Sequence, residues 1–356
     1  MTNAPVPTTP AKPVVQDVDP GFEVGHLDRF LKQALLDLQG NMQLERIGGG
    51  QSNPTFFVSY DNRSVVLRKQ PRGANLLPSA HAIDREYRII NALAKSAVPV
   101  PKTLLYCEDT SIIGTPFYLM ERLNGRVFPK YALSELPKEE RRAIYLAMAE
   151  TMAQLHQVDW ASVGLAGFGR PGEYFSRQIS RWTRQWQMSR TSDNEDINRL
   201  IDWLPKHIPE GDETSINHGD FRLGNLMFHP TEPRVIAVLD WELSTLGHPL
   251  ADVAYSCLAW HMRPNEFDGI RGLNLVELGI PTLDDYLDHY LAHSGRRQGI
   301  AIFHLVFSMF RFAVILEGIA ARARAGIASS DNAAEVGAQS IAFARRAVEL
   351  IQRQSK

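Results

Sequence analysis

Cysteine is almost missing from this chain of 356 residues: Cys107 and Cys257 are the only two, far apart and without the spacing of a metal site. Two structural thiols in a reducing compartment are the expectation. No charge of one sign dominates either, with 38 Lys and Arg against 40 Asp and Glu for a net charge of −2. A nucleic-acid or membrane partner therefore has no basic field to meet. No apolar run approaches the length of a membrane span. The N-terminus lacks a charged stretch followed by an apolar one, so no secretory signal is read and a cytoplasmic location is expected. Internal repeats are absent, and nothing marks an obligate protein partner. What remains is ordinary globular material, 44% hydrophobic and 22% charged, long enough for two modest cores or one large one.

The informative stretch runs from Asn217 to Glu242. It reads Asn217-His218-Gly219-Asp220-Phe221-Arg222-Leu223-Gly224-Asn225, then the apolar run Val235 to Leu239, then Asp240-Trp241-Glu242. Asp220 and Asn225 share a short loop in which Gly219 and Gly224 allow tight bending. After a turn at His229-Pro230, a predicted strand delivers Asp240 at its C-terminal end. Phosphoryl transfer from ATP requires this layout: one carboxylate orients a hydroxyl and takes its proton, while an amide and a second carboxylate hold Mg2+ against the phosphates. Mg2+ keeps several waters, so one Asn and one Asp suffice. The competing reading is a tight turn that uses Asn and Asp as turn formers.

The upstream half supplies what a nucleotide site needs. Residues 1–21 are rich in Pro, Thr, Ala and Val and are read as a disordered tail. The run His26 to Leu38 has helical spacing and stops at Gly40. Leu44 to Val58 reads as strand, Gly-rich turn, strand. In that turn Gly48, Gly49, Gly50, Gln51 and Ser52 place backbone N–H groups where they can cover phosphates, or simply close a hairpin. Ser64 to Lys69 is the next strand and ends in two cations. Successive side chains alternate faces, so only one of Arg68 and Lys69 points at a nucleotide. A helix over His81–Leu93 carries Glu86, which is expected to pair with that cation. Strands Thr103–Cys107 and Pro116–Met120 lead to Glu121, Leu123 and Gly125, a hinge whose backbone groups can read adenine or a plain interdomain linker.

Beyond Gly125 the pattern turns helical. Lys138–His156 is amphipathic, and His156 is read as a packing residue. Tyr174–Arg190 places Arg177, Arg181 and Arg184 on one face at spacings of four and three. That face is either solvated or a site for an anionic group on the acceptor. Asp252 starts a further helix after Gly247-His248-Pro249 and is read as structural, receiving backbone amides or bracing the loop. Helices are expected over Thr282–His293, Ile300–Ala325 and Ala333–Arg353.

The ordered set of Gly-rich hairpin, strand cation, helix Glu, hinge, His-Gly-Asp-x-x-x-x-Asn and strand-Asp resembles the aminoglycoside phosphotransferase/choline kinase family, from about Leu44 onward. The segments Leu67-Arg68-Lys69, Leu77 to His81 and Asp84 to Arg88 are similar to the branch of kinase-like domains fused to acyl-CoA dehydrogenases in animals. The resemblance implies an α+β, bilobal protein-kinase-like fold. A small antiparallel sheet lobe over 22–123 would bind nucleotide, and a larger, mainly helical lobe over 124–356 would carry catalysis and the acceptor. It implies ATP and Mg2+ as cofactors, Asp220 as base, Asn225 and Asp240 as metal ligands, and Arg68 (or Lys69) with Glu86 at the phosphates. Expected cofactor contacts are Gly49, Gly50, Gln51, Ser52, Arg68, Glu86, Glu121 and Leu123. The expected reaction is transfer of the γ-phosphoryl group to a small-molecule hydroxyl. The arginine face favours a hydroxy acid or hydroxyacyl-CoA over an aminoglycoside, amino alcohol or sugar, and a pseudokinase stays open. A peptide acceptor is disfavoured, because Pro249 and Asp252 follow Asp240 almost at once and no Ala-Pro-Glu stretch appears.

Overall fold

The computed structural model describes residues 19–48, 53–72, 82–326 and 332–354. Residues 1–18 of the expected tail lie outside that set, as do Gly49, Gly50, Gln51, Ser52 and the stretch 73–81. The chain divides into two compact units, 1–91 with 101–126, and 92–100 with 127–356.

The first unit holds α1 (Val24–Ala34), β1 (Gln43–Arg46), β2 (Thr55–Ser59), β3 (Ser64–Lys69), most of α2 (Ile83–Leu93), β4 (Thr103–Cys107), the short α3 (Thr110–Ile113) and β5 (Phe117–Glu121). The strands form one sheet in the order β1-β2-β3-β5-β4, antiparallel at each pairing. Leu27 and Leu31, one helical turn apart on α1, are fully buried with Phe56, Val58, Leu67, Phe117 and Leu119. That apolar face sets the register of β3, since a slip by one residue would turn its side chains over. In the observed register Arg68 lies opposite Thr55 and Tyr118.

The second unit is mostly helical. After β6 (Arg126–Val127) come α4 (Lys138–Gln157), α5 (Tyr174–Ser189) and α6 (Glu195–Trp203), then β7 (Ser215–Asn217), β8 (Leu226–Phe228), β9 (Val235–Val238) and β10 (Thr245–Gly247). Helices α7 (Pro249–Ser256), α8 (Leu258–His261), α9 (Leu275–Leu278), α10 (Leu283–Ser294), α11 (Ile302–Arg324), α12 (Ala333–Ala338) and α13 (Ser340–Gln354) complete it. β8 and β9 form an antiparallel hairpin, and β10 pairs with β7. The α+β expectation, a small antiparallel sheet unit and a larger helical one, is met.

One expectation needs correction. Helix α11 is long and apolar enough to cross a membrane by length and composition, against the reading that no run approaches a span. Of its most apolar window, 83% is buried inside the protein. It packs against α5, α7, α12 and α13, and Phe307, Met309, Phe310 and Val314 are fully buried there. Each such side chain contributes about 1.5–3 kcal/mol on burial. A helix that is apolar all round is the core of a large helical unit as readily as a membrane span.

Candidate active site

The loop after β7 is shaped by a glycine that nothing else can replace. Gly219 has φ +85°, and a Cβ built on it would lie 2.6 Å from the Leu243 carbonyl oxygen. Asn217 fixes the approach by donating its side-chain amide to the His248 carbonyl at 2.9 Å. Buried Asp252, in the first turn of α7, then accepts the backbone N–H groups of His218 (2.5 Å) and Gly219 (2.9 Å). Burial alone would raise the Asp252 carboxyl, but the neighbouring His156 and His218 rings and the Gly219 amide hold it below the usual carboxylate range. The bracing role expected of Asp252 is thus observed. His156 is buried, with Nδ1 2.8 Å from the Tyr290 hydroxyl and Nε2 3.7 Å from Asp252.

Asp220 follows with both carboxylate oxygens engaged. Oδ1 accepts the hydroxyl of Tyr255. Oδ2 accepts the Asn225 side-chain amide at 2.7 Å and Arg222 Nε at 3.3 Å. The Tyr255 phenol is pushed well above its ordinary range by burial and by the Asp220 charge, so it stays a donor. Burial works against the Arg222 charge, but Asp220 outweighs it and holds the guanidinium protonated.

Asn225 closes a short turn (Leu223–Asn225) directly before β8. It spends its Nδ2 on Asp220, with the backbone carbonyl at 2.8 Å and Oδ2 at 2.7 Å. Only its Oδ1 can then serve a metal. Asp240 lies two residues past β9 with φ +63°, a left-handed conformation uncommon for a residue with a side chain. Its neighbour Leu239 ties this segment to the loop: the Leu239 carbonyl receives His218 Nε2 at 2.8 Å, and its N–H reaches the Asn225 carbonyl at 2.8 Å. Asp220, Asn225 and Asp240 are therefore held in one hydrogen-bonded frame. Asn225 Oδ1 and the Asp240 carboxylate are hard oxygen donors of the kind Mg2+ prefers, so the residues present fit that ion.

In the first unit, Arg68 Nε is 2.6 Å from Glu86 Oε2, with the arginine half-buried and Glu86 buried. Glu86 also accepts the Asn53 side-chain amide and the Tyr118 hydroxyl. Lys69 is buried on the opposite face with its ammonium 5.8 Å from the Phe22 ring centroid, and burial lowers it to about 8. Of the two strand cations, Arg68 is the one that meets Glu86. Glu121 ends β5 and accepts the Lys102 N–H at 2.8 Å, while Leu123 is half-buried beyond it.

Arg177, Arg181 and Arg184 line one open groove with Ser176 and Ser180. Arg177 also donates to the Arg170 carbonyl at 2.6 Å. Arg311 on α11 connects this helix to the loop. It donates to the Gly219 carbonyl at 2.7 Å, and its guanidinium lies 5.7 Å from the Trp182 ring and 5.8 Å from the Tyr255 ring. Sequence reasoning passed over Tyr255, Arg222 and Arg311. Two signals were available: Tyr255 stands one turn after Asp252 on the same helix, and Arg311 is a lone cation in the apolar run Phe303–Leu316, where burial demands a partner.

Known proteins resemble this chain over most of its length. The sequence model described as "Phosphotransferase enzyme family" matches residues 43–298. Acyl-CoA dehydrogenase family member 10 of Mus musculus is 47% identical over 316 residues, 87% of this chain and 29% of that protein. Acyl-CoA dehydrogenase family member 11 of Homo sapiens is 41% identical over 319 residues, 87% of this chain and 41% of its own length. The chain spans less than half the length of these curated relatives. Among solved structures, a candidate aminoglycoside phosphotransferase from Ralstonia eutropha JMP134 superposes with a TM-score of 0.84 at 44% identity, covering 93% of this chain and 99% of that one. A thermostable mutant of aminoglycoside phosphotransferase APH(4)-Ia, in a ternary complex with AMP-PNP and hygromycin B, shares the fold with a TM-score of 0.59. It is 18% identical and covers 90% of this chain and 98% of that one.

Proposed function

The chain belongs to the phosphotransferase enzyme family, and on that premise we propose that it moves the γ-phosphoryl group of ATP to a hydroxyl of a small anionic molecule. The observation that carries this reading is Asp220, oriented by Tyr255, Arg222 and Asn225 on a loop tied to the segment bearing Asp240. Asp220 takes the proton of the acceptor hydroxyl as that oxygen bonds to the γ-phosphorus. The bond from phosphorus to the β,γ-bridging oxygen breaks, and ADP departs with its electron pair. Such transfer is mostly positioning and charge stabilisation. Asn225 Oδ1 and the Asp240 carboxylate would hold Mg2+, which neutralises phosphate charge when bound. Arg68, aimed by Glu86, is the proposed cation for the ATP phosphates, with Glu121 and Leu123 proposed at the adenine.

The arginine groove supports an anionic acceptor, such as a hydroxy acid or a hydroxyacyl-CoA ester. Arg311 links that helix to the catalytic loop through Trp182 and Tyr255. A polycationic acceptor calls for carboxylates where this groove has three arginines. An aminoglycoside is the second reading, favoured by the fold neighbour that binds hygromycin B. A cytoplasmic setting is part of the proposal. The test is ADP release with ATP and Mg2+ against hydroxy acids, hydroxyacyl-CoA esters, choline-like alcohols, sugars and aminoglycosides, comparing the native chain with Asp220→Ala. Stimulation by one anionic class, lost in the variant, is the expected result. Stimulation by aminoglycosides alone would transfer the assignment to the second reading, and ATP binding without transfer to any class would favour a pseudokinase.

A further inference from the structure

Away from the catalytic loop, α4 and α10 bring together Glu150, His289 and His293, each offering one ligand atom within 4.8 Å of the others. The two histidines stand one turn apart on α10, with ring centroids 4.1 Å apart. That i, i+4 spacing puts both imidazoles on one helix face, and Glu150 meets them from the neighbouring helix. The His293 ring is oriented by a 2.8 Å hydrogen bond from its Nδ1 to the His289 carbonyl. Donation there leaves Nε2 with its lone pair available to a metal, the outer bond that fixes a metal-binding histidine.

The two helices are pinned on both sides of this cluster. Arg142 reaches Asp285 at 3.0 Å, and the Gln157 side-chain amide reaches the His293 carbonyl at 2.6 Å. Ligands on paired, pinned helices are held more closely than ligands on loops. From this arrangement we propose that Glu150, His289 and His293 form a second cation site, distinct from the Asn225/Asp240 pair, that takes Zn2+ or a similar divalent transition ion. Two imidazoles and one carboxylate suit zinc, whereas Mg2+ prefers oxygen donors throughout. Ligand atoms around a tetrahedral zinc stand about 3.3 Å apart, given bonds of about 2.0–2.1 Å. The trio must therefore close by about 1.5 Å at most, within reach of rotamer adjustment of solvent-accessible side chains. A fourth position is left to water. The bound ion would clamp α10 to α4, so its effect is on stability as well as occupancy.

The test is isothermal titration of the tag-free full chain with ZnCl2, alongside thermal unfolding with and without zinc. The native chain and an Asp240→Asn variant should both bind one zinc ion at this site and unfold at a higher temperature when it is present. His289→Ala and His293→Ala, each a solvent-accessible substitution, should weaken that binding by about tenfold or more and remove the thermal shift. Glu150→Gln should weaken it less. Zinc binding that survives the double variant His289→Ala/His293→Ala, or that disappears in Asp240→Asn alone, would overturn the proposal.

Discussion

Asn225 donates its side-chain amide to Asp220 Oδ2 at 2.7 Å and to the Asp220 backbone carbonyl at 2.8 Å. One side chain thereby orients the base and commits its own oxygen to a cation. Asn225→Asp separates these roles, because it keeps a metal-binding oxygen but turns two donors into acceptors facing a carboxylate. A hydrogen bond to a charged group is worth about 1.5–3 kcal/mol, or about tenfold to a hundredfold in rate. The expected outcome is a loss of kcat/KM in that range, not recovered by raising Mg2+ concentration. Steady-state kinetics over a Mg2+ titration checks it, and full recovery at high Mg2+ would mean that only ligation matters.

Tyr255 holds the other oxygen of Asp220. Tyr255→Phe removes only the hydroxyl, and the ring keeps its edge contact with Phe312, centroids 5.6 Å apart. Stability should fall by about 1–3 kcal/mol, because phenylalanine leaves one oxygen of the charged Asp220 carboxylate without its donor. kcat should fall about tenfold with KM for ATP nearly unchanged. A larger fall in KM-dependent binding than in kcat would place Tyr255 in the nucleotide site instead.

Asp252 satisfies two buried amides at once, from His218 and Gly219. Asp252→Ala leaves both without a partner, at about 1–3 kcal/mol each. The two together amount to about 2–6 kcal/mol, a drop in Tm of about 4–24 °C for a unit of this size, with Asp252→Asn falling between the native chain and Asp252→Ala because its oxygen still accepts one bond. Differential scanning calorimetry orders the three proteins. An unchanged Tm in Asp252→Ala would show that the loop finds other acceptors.

Much of this was legible in the residues because it is local. The His-Gly-Asp-x-x-x-x-Asn loop, the strand leading to Asp240 and the boundaries of β3 and β4 follow from glycine chemistry and from period-two and period-3.6 patterning. Tyr255 and Arg311 were harder, since their partners, Asp220 and Gly219, lie 35 and 92 positions away in sequence. Hydropathy patterning sees that α11 is apolar but not what surrounds it. Only the packing of α5, α7, α12 and α13 shows that the helix is a core element, and only the folded loop shows that the partner of Arg311 is the Gly219 carbonyl. The choice between Arg68 and Lys69 likewise depended on which face of β3 the apolar core occupies.

Three histidines make acid stability a further test. Burial lowers His248, His261 and His304 from the ordinary value to about 4. Two of them work as neutral acceptors: His248 Nδ1 receives the Leu250 N–H at 3.3 Å at the start of α7, and His304 Nδ1 receives the Ala301 N–H at 2.9 Å at the start of α11. Protonation would replace each acceptor with a donor facing an N–H. In the unfolded chain these imidazoles take up protons below about pH 6.5. The folded protein does not bind them until about pH 4. Between those values the unfolded state holds more protons, so stability falls as pH drops from about 6.5 to about 4 and is flat above. At pH 5 the loss is up to about 2 kcal/mol for each histidine. Urea unfolding at pH 7.5 and pH 5 measures it. His304→Gln, whose side-chain oxygen can still accept from Ala301, should be nearly as stable as the native chain at pH 7.5 and lose less on acidification. If the pH 5 loss is the same in that variant, His304 is not one of the groups that sets the acid limit.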